Sequence, residues 1–82
     1  MTTPTLIITS DGRVYAGLTA DAAVTNMREA GIFTAGKSNV EYMASVAARA
    51  LSLEGATIRT DTADNFLIDL AKHGHLTIGG KA

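Results

Sequence analysis

Three stretches with helical spacing each run into a glycine, at Gly31, Gly55 and Gly74. A glycine just past an apolar stripe is a common helix stop, because it can take the left-handed conformation that closes the last turn. These stops divide the chain into a β-rich start, two consecutive helices, a short link, a third helix and a final strand. In helix one, Ala20, Ala23, Val24 and Met27 recur at i, i+3, i+4 and i+7 behind Thr19, a good N-cap, with Asp21 in the first turn. Helix two is predicted from Asn39 to about Glu54, with Val40, Met43, Ala47, Ala50 and Leu51 as its buried stripe. Tyr42 and Arg49 lie two turns apart on one flank of that stripe. Helix three, capped by Asp61, carries Ala63, Phe66, Leu67, Leu70 and Ala71, with Lys72 and His73 at its negative dipole end.

Before the first helix, Thr5–Ser10 and Arg13–Leu18 are β-rich runs around Asp11-Gly12, a strong hairpin signal. A two-residue turn would set Ser10 opposite Arg13, Ile8 opposite Tyr15 and Leu6 opposite Gly17. One face would then carry Ile7, Val14, Ala16 and Leu18, and the other Leu6, Ile8 and Tyr15 with Arg13. Both faces hold large apolar groups, so both should be covered, one by helices and the other by the chain itself or by a partner. Ala56–Thr60 reads as a short strand, and His75–Ile78 as a final edge strand, with a loose tail from Gly79. The expected class is α+β, in the order ββααβαβ, with helices packed on a small antiparallel sheet.

The junction between helices one and two demands a decision. Gly31-Ile32-Phe33-Thr34-Ala35-Gly36-Lys37-Ser38 matches G-x-x-x-x-G-K-[ST], the phosphate-cradling loop of nucleotide hydrolases. That loop needs a buried strand to deliver its first glycine, yet Thr19–Ala30 has helical spacing. The residues also have simpler roles. Gly31 would close helix one with Ile32 folded back on Met27, Ser38 and Glu41 would form a capping box, and Phe33 would plug the junction. A magnesium-binding acid after a second apolar strand is lacking, Asp61 following only a short and mostly polar run. What remains is a weaker anion contact at Lys37 and Ser38.

The chain has 82 residues, room for one domain spanning positions 1–82. It has no cysteine, so disulfides and thiolate metal sites are excluded, which suits a reducing cytoplasm. No secretory signal is read at Met-Thr-Thr-Pro, and no apolar run approaches the roughly 20 residues that span a bilayer. A soluble cytoplasmic domain is expected. The net charge is −1 with seven scattered basic residues, which disfavours broad DNA binding and DNA mimicry alike. Only 18% of residues are charged, against an average of about 25%, so self-association as a homodimer is also expected.

Other constellations are weaker. His73 and His75 flank a helix-ending glycine and lack a third ligand, so no metal is expected. Asp61, Asp64 and Asn65 lack the spacing of a calcium loop. No G-x-S-x-G elbow exposes a serine, and no cofactor is implied. A helix-turn-helix would need a shorter loop than Ile32 to Lys37 and a recognition helix richer than Asn39-Val40-Glu41. An enzyme is therefore not expected; a DNA-binding regulator is the alternative.

In size, in its Asp11-Gly12 hairpin, its alanine-rich amphipathic helices and its lack of cysteine, the chain resembles small bacteriophage accessory proteins. It is most similar in style to anti-CRISPR proteins that inhibit type I surveillance complexes. The resemblance covers the whole chain by texture and has no diagnostic motif, so it carries over no residues. It implies a stoichiometric inhibitor that occupies a protein surface, with a CRISPR–Cas surveillance complex as the kind of partner. The residues expected to meet a partner are Leu6, Ile8, Arg13, Tyr15, Tyr42 and Arg49.

Overall fold

The computed structural model describes residues 5–32 and 34–79. Strands β1 (Thr5–Thr9) and β2 (Val14–Gly17) precede helices α1 (Ala20–Glu29), α2 (Asn39–Glu54) and α3 (Ala63–Lys72), and β3 (Leu76–Gly79) follows. The strands form one antiparallel sheet in the order β2-β1-β3, so the chain is α+β. The Phe33 plug, Pro4 and the tail beyond Gly79 lie outside the described residues.

The hairpin turn has three residues, not two. Thr9 N–H donates to Arg13 O at 2.8 Å and Gly12 N–H to Thr9 O at 2.9 Å, with Gly12 at φ +89°. This is the three-residue turn with a left-handed glycine that makes a bulge. The Thr9 side chain favours it: its hydroxyl donates to Asp11 Oδ1 and accepts from Arg13 N–H at 3.1 Å. The extra residue slips the expected register by one position. Ile8 pairs with Val14, Ile7 with Tyr15, Leu6 with Ala16 and Thr5 with Gly17.

A one-residue slip exchanges the faces of a partner strand. Ile7 and Tyr15 now share a face with Leu76 and Ile78, which β3 sets opposite Thr9 and Ile7. Helices cover this face, and Ile7 is completely buried. The opposite face carries Leu6, Ile8, Val14 and Ala16, with Ile8 39% and Val14 59% exposed. No described segment covers it.

The core is centred on Phe66, Ile7, Leu67 and Val24, the largest fully buried side chains. Helix α1 lies close over β2: a Cβ on Gly17 would stand 2.6 Å from the Ala22 carbonyl carbon. Asn26, off the apolar stripe of α1, donates to the Ala16 carbonyl. It thereby blunts part of the free edge of β2.

The caps follow the sequence at four helix ends, the Ser38–Glu41 box at the start of α2 among them. Thr19 accepts from Ala22 N–H at 3.1 Å. Gly55 and Gly74, at φ +69° and +81°, end α2 and α3 as expected. Gly31 does not; its φ is not positive, and α1 ends through Ala30 in a right-handed conformation. The Thr34 hydroxyl turns back to donate to Arg28 O at 2.7 Å, filling the space where a Gly31 side chain would be. Glycine serves close approach here, not chirality. Ile32 is 91% exposed and does not fold onto Met27. Arg28 holds the junction, donating to Asn39 Oδ1 at 2.9 Å and to the Ala35 carbonyl.

Two further expectations change. In α2 the buried positions are Met43 and Ala50, with Tyr42, Val46 and Ala47 half-buried, whereas Val40, Leu51 and Leu53 are 58–74% exposed. Packing against α1 covers a narrower strip of α2 than its apolar content suggests. Ala56–Thr60 is no strand. Its alternation is real, since Ala56 and Ile58 are buried, but it pairs with a side chain in place of a ladder. Arg59 donates from its backbone N–H to Asp69 Oδ2 at 2.8 Å, and from Nε and a terminal nitrogen to the two carboxylate oxygens at 3.0 and 2.9 Å. Thr62, not Asp61, caps α3 by accepting from Asn65 N–H at 3.1 Å, while Asp61 accepts from the Asn65 side chain.

Arg59 lowers the pKa of Asp69 to about 2, first through its side-chain hydrogen bonds and then through its backbone N–H. A depressed carboxylate stabilises the fold fully above its unfolded value, near 3.8, and that contribution is lost as pH falls toward about 2. Arg59→Gln should therefore lower the melting temperature near neutral pH. The gap from the wild type should close as pH falls through that interval, as followed by circular dichroism.

Candidate interaction groove

Helix α2 reaches the core with Met43 and Ala50 and rests its Tyr42 edge-on against Phe66, ring centroids 6.4 Å apart at 65°. Between α2 and the helix-side face of the sheet a groove remains. It consists of two adjoining hollows of about 260 and 250 Å³ that share Met27, Tyr42, Val46 and Arg49. The first continues to Arg13 and Tyr15 on the hairpin. The second continues to Leu70, Leu76, His75 and Glu54. The floor is apolar and the rim polar, the usual make-up of a recognition site.

The six residues expected to meet a partner are divided between two surfaces. Arg13, Tyr15, Tyr42 and Arg49 meet on the groove, although the hairpin and α2 are distant in sequence. Leu6 and Ile8 lie on the open sheet face, opposite Tyr15. The three-residue turn causes the division, since the expected register would have put Tyr15 beside them. Val14 joins the open face for the same reason.

The rim is mostly positive. Arg13 makes an exposed ion pair with Asp11 at 3.4 Å, a contact of small energetic weight. The Tyr15 hydroxyl, and then Asp11, raise the pKa of Arg13. Among the described residues Arg49 is in no ion pair. Lys37 donates to the Ser45 hydroxyl at 3.3 Å, and Ser45 lines the same hollow as Arg13. At the far end, His75 Nε2 lies 3.0 Å from Glu54 Oε1.

The start of α2 is occupied by its own side chain. Ser38 Oγ accepts from Glu41 N–H at 3.1 Å, and the Glu41 carboxylate accepts from Ser38 N–H at 2.9 Å. That carboxylate sits where an external anion would bind a helix N-terminus. Helix α1, not a strand, leads into Gly31, so the Gly31–Ser38 segment lacks the strand a phosphate loop requires. His73 is exposed at the end of α3, away from the His75–Glu54 pair in the groove. Among the described residues no three His, Cys, Asp or Glu groups are placed to share a metal ion. No described helix is long and apolar enough to cross a membrane.

Lys37, Ser45 and the His75–Glu54 pair were not among the residues singled out for this surface. Lys37 joins only because Ser45 lies two turns further along α2, a placement that requires the capped helix start. His75 and Glu54 meet across the α2–β3 gap, which no local pattern reveals. No known protein family, curated protein or solved structure matches the chain.

Tyr42 reports directly on the groove. Its pKa is raised above 10.0, first by burial and then by Tyr15, with Arg49 opposing. A raised tyrosine pKa stabilises the fold below the unfolded value and loses that contribution as pH rises above it. In an ultraviolet titration, Tyr15→Phe should move the Tyr42 transition to lower pH and Arg49→Gln should move it to higher pH.

Proposed function

We propose that the chain is a non-enzymatic protein-interaction module that acts by stoichiometric binding through the groove between α2 and the hairpin. The supporting observation is the gathering of Arg13, Tyr15, Tyr42 and Arg49 around one hollow. Tyrosine and arginine are the residue types that most often dominate binding energy, because they combine large contact area with directional polar groups. A half-buried aromatic pair beside guanidinium groups gives both an anchor and an orientation. The narrower form of this reading follows the resemblance to phage accessory proteins: the partner is a bacterial defence complex, such as a CRISPR–Cas surveillance complex, which the bound chain blocks. Leu6 and Ile8 have no assigned contact in this reading.

Affinity capture from bacteria carrying a type I CRISPR–Cas system, read by mass spectrometry, tests it. The wild-type chain should retain subunits of the complex. Arg13→Glu with Arg49→Glu should weaken retention at least ~10-fold, and both sites are exposed enough to leave the melting curve near that of the wild type. Ile8→Asp should leave retention unchanged. Retention that survives the double arginine change, or that is lost only with Ile8→Asp, contradicts the assignment of the groove.

A further inference from the structure

We propose that the groove receives an extended acidic segment of about five residues with an apolar side chain at its middle. This rests on the reading of the groove as the partner-binding surface and specifies the chemistry of what enters it. Groove length sets the first limit. Its lining on α2 runs from Tyr42 to Glu54, or ~18 Å at 1.5 Å per residue. An extended strand rising ~3.3 Å per residue crosses that distance in about five residues.

Charge sets the second limit. Three of the seven basic residues, Arg13, Lys37 and Arg49, stand at or beside the rim of one hollow. Arg49 has no ion pair among the described residues, and the partner of Arg13 is an exposed carboxylate that a buried ligand could displace. An incoming carboxylate there would gain charge-assisted hydrogen bonds from guanidinium forks. The other end carries Glu54 beside His75, which disfavours a second acid and fixes the direction of the segment.

The floor sets the third limit. Met27 and Val46 lie where the hollows join, with Leu70 and Leu76 beyond. Flexible methionine beside branched aliphatic groups accommodates an apolar side chain of variable shape. A nucleic-acid strand would match the rim but leave this floor against sugars and phosphates. The observations therefore favour peptide.

Nuclear magnetic resonance of the ¹⁵N-labelled chain tests the assignment with blocked pentapeptides. The probes are Asp-Asp-Leu-Ala-Gly, its Lys-Lys-Leu-Ala-Gly counterpart and a five-nucleotide oligothymidylate. The acidic peptide should shift the amides of Tyr42, Val46 and Arg49, bind ~10-fold or more tightly than the basic one, and weaken with added salt. Arg49→Gln should lower that affinity about fivefold while leaving the spectrum otherwise native. Equal affinity for the two peptides, no groove shifts at about 10 mM acidic peptide, or tighter binding of the oligothymidylate overturns the proposal. If capture depends on Arg13 and Arg49 but the acidic peptide fails here, the ligand class is wrong and the groove reading stands.

Discussion

The fold and its candidate site depend on how Thr9 closes the hairpin. A hydroxyl that bonds both Asp11 and the Arg13 amide makes a three-residue turn the better-satisfied alternative to the two-residue turn that Asp11-Gly12 suggests. Because side chains alternate along a strand, that single added residue decides which way every β2 side chain points. Tyr15 enters the space under α2, beside Arg13, and Val14 goes to the open face. With the other register the groove would lose its hairpin wall, and the open face would gain an aromatic ring.

Helix α2 completes the arrangement by keeping its distance. Its contact with the core runs through small and slender residues, Met43 and Ala50, and through Tyr42 against Phe66. Arg28, bridging Asn39 and the Ala35 carbonyl, secures its start to α1. At its other end the chain turns at Gly55 into a segment held on α3 by the Arg59–Asp69 pair, whose carboxylate is almost fully buried and fully engaged. A buried acid with one partner removed is costly, so this pair fixes a path more than it adds net stability. The helix is thus tied at both ends while its middle stands off the sheet.

What could be read from the sequence was what is local. Thr19, the Ser38–Glu41 box, Gly55 and Gly74 act on their own turns, and the helices they bound appear in the structure. The α+β class followed from those signals and from the hairpin. The remaining features depend on distant partners. Ala56–Thr60 alternates like a strand, but the group that satisfies Arg59 is a carboxylate ten residues away on a helix. Gly31 looked like a left-handed stop because its neighbour Thr34, which needs the empty space, carries no recognisable signal. On α2, apolar content marked Val40 and Leu51 for burial, although only packing determines how wide a strip is covered. The site was legible as residue types, not as a surface: Arg13, Tyr15, Tyr42 and Arg49 came together, and Leu6 and Ile8 parted from them.

The hairpin register is the claim on which the groove stands, and proton–proton contacts across the strands measure it. In an antiparallel pair the non-hydrogen-bonded residues bring their α-protons closest, and the Thr9–Arg13 bond makes Ile8–Val14 and Leu6–Ala16 those pairs. Strong α-proton cross-peaks between these two pairs are the expected result. Cross-peaks joining Thr9 to Val14 and Ile7 to Ala16, the non-hydrogen-bonded pairs of the two-residue turn, would contradict it, returning Tyr15 to the open face and removing the hairpin wall of the groove.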